Sequence, residues 1–207
     1  MLATPADEPI LDQEWRDFLN QQDFGQVIAP GPNGQIPVVV PAHYCYDGDR
    51  TIELHLHREN PVWTAIRAND RVVFAVIDAH VYIPSTWNAE DPSAADWAPP
   101  TSYYAAVQAI CSAVIPDEPA GVAALLRRQM RRMQPEGGYA SIEPGLTPYG
   151  RMLGGIRGLR LEIDEVRAKF KFGGNRSHQH RARVAERLAA RGTEADLRAR
   201  SHLLRRC

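Results

Sequence analysis

The chain has 207 residues, with 24 Lys and Arg against 25 Asp and Glu, for a formal net charge of −1. That length supports one substantial core, and so even a charge balance gives no global pull toward nucleic acid or an acidic membrane surface. Cys45, Cys111 and Cys207 are scattered and odd in number, without CxxC spacing. Neither a disulfide framework nor a zinc site is expected from them, and a reducing cytoplasm is the simple reading. The first residues, Met-Leu-Ala-Thr-Pro-Ala-Asp-Glu-Pro, carry no basic start and no apolar stretch, so no signal peptide is expected. No later apolar run is long enough to span a bilayer.

Asp12 begins a short helix whose buried stripe is Trp15, Phe18 and Leu19. Strands are expected over 25–29 and 36–42, separated by the turn signal of residues 30–34, and Asp47-Gly48-Asp49 forms a second tight turn. Apolar residues then alternate at 52, 54 and 56, which marks a strand and throws Glu53, His55 and His57 onto its opposite face. Residues two apart on a strand sit roughly 7 Å from each other on one face. Asn60-Pro61 stops this strand, and Pro61 suits the first turn of a helix reaching Ala68.

Residues 71–77 form a near-continuous apolar strand that resumes over 80–83 after a small break at Asp78-Ala79. A loop rich in Pro, Ala and Asp covers 88–100, followed by a long strand over 102–114. Residues 121–133 read as a helix with Leu125, Leu126, Met130 and Met133 toward the core. The Gly/Pro loop over 136–148 is long enough for a lid, although Gly137-Gly138 is read as a helix breaker rather than its hinge. One or two strands fill 156–172, and helices over 177–191 and 193–206 close the chain. Six or seven strands joined by short turns predict an antiparallel barrel with helical decoration. Neither GxGxxG after a strand nor GxxxxGK[ST] occurs.

Four blocks resemble the PaiB family of FMN-binding split-barrel proteins, whose members are described as negative transcriptional regulators. They are His55-Leu-His57-Arg-Glu-Asn60-Pro-Val-Trp63, His80-Val-Tyr82-Ile-Pro-Ser85-Thr86-Trp87, Pro100-Thr101-Ser-Tyr103-Tyr104-Ala-Ala-Val107 and Lys169-Phe-Lys171-Phe-Gly-Gly-Asn-Arg176-Ser177. The resemblance spans roughly residues 10–190. It implies an α+β, mainly β, split β-barrel: one domain over 1–207, with the barrel and inserted helices at 11–172 and C-terminal helices at 177–206. It also implies a homodimer that binds a planar cofactor in the cleft between subunits.

The departures are as informative as the matches. The family pattern His-x-Ala-x-x-Asn-Pro has His57 here in place of alanine, Ser-Trp-Tyr becomes Thr86-Trp87-Asn88, and Pro-Thr-Trp-Asn-Tyr becomes Pro100-Thr-Ser-Tyr-Tyr104. An extra imidazole with an altered flavin environment is similar to the haem-dependent piperazate synthase branch. Those enzymes bind haem b instead of FMN and convert N5-hydroxy-L-ornithine to L-piperazate. The resemblance makes His57 the axial iron ligand, with His55 in reserve. It surrounds the cofactor with Asn60, Trp63, Tyr82, Ser85, Thr86, Trp87, Thr101, Lys171 and Arg176, the cations being suited to haem propionates or a flavin phosphate.

A base is needed to take a proton from the α-ammonium, and Tyr103, Tyr104, His80 and Lys169 are its candidates. Each feature has a plainer reading. His57 can equally be a flavin-site or relay residue or an inert strand histidine, and the aromatics can be packing. Lys169, Lys171 and Arg176 can form a solvated strand edge, and Ser177 can be only a helix cap. From Arg176 to Arg206 there are nine arginines against Glu186, Glu194 and Asp196. This is the one feature favouring the regulator reading. The arginines read as spread around the helices, without a stripe or a helix-turn-helix pattern, so a solvated face or dimer contact is the expectation.

Overall fold

Alternation along the histidine strand fixes which of its residues face the core. In a computed structural model, which describes residues 1–91, 93, 98–116 and 118–206, the elements follow the expected order. They are α1 (Asp12–Gln21), β1 (Phe24–Ala29), β2 (Val38–His43), β3 (Cys45–Tyr46), β4 (Thr51–His57), α2 (Val62–Ala68), β5 (Arg71–Ile83), α3 (Ser85–Asn88), β6 (Thr101–Val114), α4 (Pro119–Met133), α5 (Tyr149–Met152), β7 (Ile156–Lys171), α6 (His178–Arg191) and α7 (Glu194–Leu204). The strands form one antiparallel sheet in the order β2-β1-β5-β6-β7-β4-β3. Cys207 and, from the loop at 88–100, residues 92 and 94–97 lie outside the described residues. No helix among the described residues is long and apolar enough to cross a membrane.

The chain separates into two compact units, one of residues 1–15, 77–107 and 167–207, the other of residues 16–76 and 108–166. In the second, β4 pairs antiparallel with β7, His57 lying opposite Ile156 and His55 opposite Gly158. Ile52, Leu54 and Leu56 are buried on one face, as the alternation requires. Asp47 accepts from the backbone N–H groups of Asp49, Arg50 and Thr51, which closes the tight turn into β4. Those three bonds hold its carboxyl below the usual range against the opposing effect of burial.

The expected break at Asp78-Ala79 proves to be a kink within one strand. Ala79 has φ +54°, in the left-handed region. Buried positions run 72, 74 and 76 before the kink and 79, 81 and 83 after it. The irregularity shifts the alternation by one residue, so His80 and Tyr82 end up exposed.

Helix α4 departs from its expected stripe. Val122, Ala123, Leu125 and Gln129 are its buried residues, whereas Met133 is only half-buried. The apolar stripe is divided: Val122 and Ala123, with Leu126 and Met130, pack with Ile142 and Leu153 in a satellite core. Arg127 donates to the Ile142 carbonyl at 2.7 Å and pairs with Glu143 at 2.8 Å, so the segment after α4 is fastened at its middle.

In the first unit, α6 and α7 are capped by Ser177 and Thr193, the latter in a reciprocal capping box with Asp196. Gly192 ends α6 with φ +69°, a conformation that glycine adopts without steric cost. His202 stacks on Phe172 with ring centroids 4.8 Å apart. Burial, reinforced by Arg205 and Arg206, lowers its pKa to about 4 against opposing effects from Glu14 and Asp78. Burial also lowers the pKa of His180.

A neutral buried histidine stabilises the fold only while the unfolded chain is also neutral. The contribution of His202 is therefore complete above pH 6.5 and is lost as pH falls toward 4, up to about 3 kcal/mol in all. His202→Phe, which retains a ring against Phe172, should flatten that part of the profile in urea unfolding between pH 7 and 4. An unchanged acid limb would locate the sensitivity elsewhere.

Candidate functional site

The candidate residues fall into two sets, one in each unit. In the second unit, helix α4 lies over the outer face of β4. Glu53 accepts a bidentate pair from Arg128 at 2.6 and 2.8 Å and is also bound by Arg160 at 3.2 Å. The next residue on that face, His55, is half-buried, and its Nδ1 lies 2.5 Å from Gln129 Oε1. The Gln129 amide donates from Nε2 to the His43 carbonyl at 3.3 Å, which orients its oxygen toward the imidazole. An amide oxygen only accepts, so the His55 proton resides on Nδ1 and the lone pair on Nε2.

His57, the third residue on the face, is exposed. Its Nδ1 accepts from the Glu59 N–H at a long 3.2 Å. Its carbonyl accepts from Trp63 Nε1 at 2.9 Å, with Trp63 itself buried. Asn60 Oδ1 accepts from the Val62 N–H at 3.0 Å and opens α2. Trp63 and Asn60, both expected beside the cofactor, thus act on the backbone that holds His57. The imidazole suits an iron ligand because it is accessible and its strand end is clamped. Ligation through Nε2 needs the proton on Nδ1, at the expense of only the one long bond.

In the first unit, Thr101, Tyr103, Lys171 and Arg176 are brought together around a cavity of about 190 Å³, together with Asp7 and Gly173. Lys171 Nζ donates to Thr101 Oγ1 at 2.8 Å. The Tyr103 side chain is buried, and its hydroxyl has no hydrogen-bond partner among the described residues. Burial pushes its pKa up to about 12 against the opposing effect of Arg176, so at neutral pH this group is a donor. Gly173 has φ +71°, and a Cβ there would stand 2.6 Å from the Tyr103 hydroxyl. Lys169 is committed elsewhere, to the Leu2 carbonyl at 2.8 Å and Asp7 at 3.5 Å, with its ammonium 5.9 Å from the Tyr104 ring centroid. His80 is exposed on β5.

The segment carrying Tyr82, Ser85, Thr86 and Trp87 is held by a device that the sequence reading missed. Arg183, Arg187 and Arg191 are spaced four apart on α6 and so share one face. Arg183 donates to the carbonyls of Ala89 and Glu90, Arg187 to that of Thr86 and Arg191 to that of Tyr82, at 2.8–3.1 Å. Arg191 also lies 4.7 Å from the Trp87 ring centroid and binds Asp196 through several contacts, which lower that carboxyl's pKa. Arg181 donates to the Arg176 carbonyl, and Arg198 pairs with Glu194 and, at 3.2 Å, with Asp78. A stripe does exist, and it faces the protein's own carbonyls. The signal for it was the i, i+4, i+8 spacing.

Residues 5–165 match the family described as "Putative FMN-binding domain". Among solved structures, a conserved hypothetical protein from Mycobacterium tuberculosis is 19% identical, covering 83% of this chain and 91% of its own, with a TM-score of 0.58. The flavocytochrome Anf3 from Azotobacter vinelandii is 16% identical, covering 83% and 73%, with a TM-score of 0.58. A FAD- and haem-binding protein from Mycobacterium smegmatis is 16% identical, covering 80% and 73%, with a TM-score of 0.55. At these identities the likeness speaks to the fold, an α+β, mainly β, split barrel. No curated protein matches the sequence.

Proposed function

The chain belongs to the FMN-binding domain family, and from that premise we propose that it is a haem-dependent piperazate synthase, closing N5-hydroxy-L-ornithine to L-piperazate with loss of water. The observation that carries this reading is His57, an exposed imidazole on a clamped strand end where the flavin-binding pattern has alanine. One structural relative is named a flavocytochrome and another a FAD- and haem-binding protein, which supports a haem reading beside a flavin one.

The reaction breaks N–O at N5, forms N–N between N5 and the α-nitrogen, and releases the hydroxyl with one α-nitrogen proton as water. No net oxidant is needed. Bound haem supplies an iron electrophile that assists departure of a poor leaving group. The chain's own task is to fold the substrate so that its α-nitrogen meets N5, an orientation effect worth several of the ~7–11 kcal/mol available. Tyr103 fits this task as a hydrogen-bond donor, since its burial keeps the phenol protonated. Tyr104 and His80 remain the candidates for accepting the α-ammonium proton. A homodimer and a cytoplasmic setting complete the proposal.

A flavin reading is favoured by the family itself, whose members are described as FMN-binding. It makes the chain an FMN-binding regulator or a flavin-dependent reductase. The regulator version is weakened by the arginines of α6, which are turned onto Ala89, Thr86 and Tyr82 and so present no free basic stripe. Purified protein decides between the cofactors. A Soret band with turnover of N5-hydroxy-L-ornithine to a cyclic hydrazine is expected; a yellow protein with the two-banded flavin spectrum would overturn the haem assignment. A haem-loaded protein that leaves the substrate unchanged would overturn the reaction.

A further inference from the structure

The cavity of about 190 Å³ in the first unit has an unusual charge arrangement. Lys171 and Arg176 both line it, and neither has a carboxylate within salt-bridge distance among the described residues. Lys171 makes one bond, to the Thr101 hydroxyl, and the Arg176 guanidinium makes one long bond, 3.5 Å to Asn88 Oδ1. Arg183, Arg187 and Arg206 are by contrast bound to carbonyls or acids at shorter range.

Two of the lining groups complement this pair of cations. The Tyr103 hydroxyl is buried with no hydrogen-bond partner among the described residues and, as a phenol, has a proton to donate. A buried donor left unpaired is a cost that a bound acceptor would recover. Asp7 brings a carboxylate to the same space. Both of its contacts, Thr4 Oγ1 at 3.1 Å and Lys169 Nζ at 3.5 Å, fall on Oδ2, which leaves Oδ1 to meet a ligand.

From this geometry we infer that the cavity is a binding site for the zwitterionic head of an α-amino acid. The carboxylate lies between Lys171 and Arg176 and accepts from the Tyr103 hydroxyl, and the ammonium lies against Asp7. A purely anionic group, such as a phosphate or a propionate, would face Asp7 and lose part of what the cations supply. The cavity has room for a compact polar head group. Gly173 keeps the wall open, since a Cβ there would collide with the Tyr103 hydroxyl.

The choice of amino acid rests on the proposed function, which makes the substrate a hydroxylated ornithine; the head-group site itself rests on the cavity. The test is a calorimetric titration of the cofactor-free full chain with L-ornithine, putrescine, 5-aminovalerate and inorganic phosphate. L-Ornithine is expected to bind at least tenfold more tightly than putrescine, which lacks the carboxylate, and than 5-aminovalerate, which lacks the α-ammonium.

Asp7→Asn should weaken L-ornithine about tenfold and leave 5-aminovalerate unchanged, whereas Arg176→Gln should weaken both. Thermal unfolding of each variant confirms that it is folded. Equal affinity for L-ornithine and 5-aminovalerate, binding of phosphate alone, or no binding at all would each overturn the site. Normal turnover of N5-hydroxy-L-ornithine with no change in KM in Asp7→Asn would overturn it too, while leaving the enzymatic reading intact. Head-group binding as described in a protein that takes up no haem would sink that reading and keep the site.

Discussion

Replacing His57 with alanine is expected to weaken haem binding by more than about 100-fold, because even the outer partners of metal-ligating histidines contribute about 10–100-fold. The same change should leave folding stability within about 0.5 kcal/mol of the parent. The ring is exposed, and its one bond among the described residues is the long contact from the Glu59 N–H. Added imidazole should restore part of the Soret band. His55→Ala makes the control informative, since it removes the partner of Gln129 Oε1 and strands a buried amide oxygen. It should therefore cost about 1–3 kcal/mol of stability, whatever it does to haem. If His57→Ala keeps its full Soret band and His55→Ala loses it, the ligand is His55, whose Nε2 lone pair is already set by Gln129.

Much of this arrangement was legible before any coordinates. The alternation of Ile52, Leu54 and Leu56 fixes which way His55 and His57 point, because a strand has only two faces. Trp15, Phe18 and Leu19 are buried as their spacing requires. Local patterns miss what depends on a distant partner. Gln129 looks like a surface residue of α4, yet it is buried because His55 and His43 are there to receive both ends of its amide. Arg183, Arg187 and Arg191 looked dispersed until the carbonyls of residues 82–90 supplied a common target. Asp7 gave no signal at all, since its meaning comes from Lys171 and Arg176 more than 160 residues further along the chain. Periodicity speaks to burial; it is silent on which polar groups long loops bring face to face.

Arg206→Met is expected to produce the largest loss of stability, about 3–5 kcal/mol. Arg206 and Glu14 form an ion pair with side chains only 5% and 6% exposed. The guanidinium meets both carboxylate oxygens, at 2.9 and 3.2 Å, and also donates to the Glu8 carbonyl. It lies 5.6 Å from the Phe170 ring centroid, so methionine retains much of the packing while removing the charge. What remains is a buried carboxylate held, among the described residues, by the Ile10 N–H at 2.8 Å. Removing one partner of a buried pair costs far more than the pair itself contributes, because the survivor keeps its desolvation penalty. Glu14→Met combined with Arg206→Met should therefore recover most of the loss, apart from about 1 kcal/mol for the Ile10 N–H. Urea unfolding of the parent, both single variants and the double variant measures the coupling directly. Single effects that simply add in the double variant would show that the two side chains contribute independently.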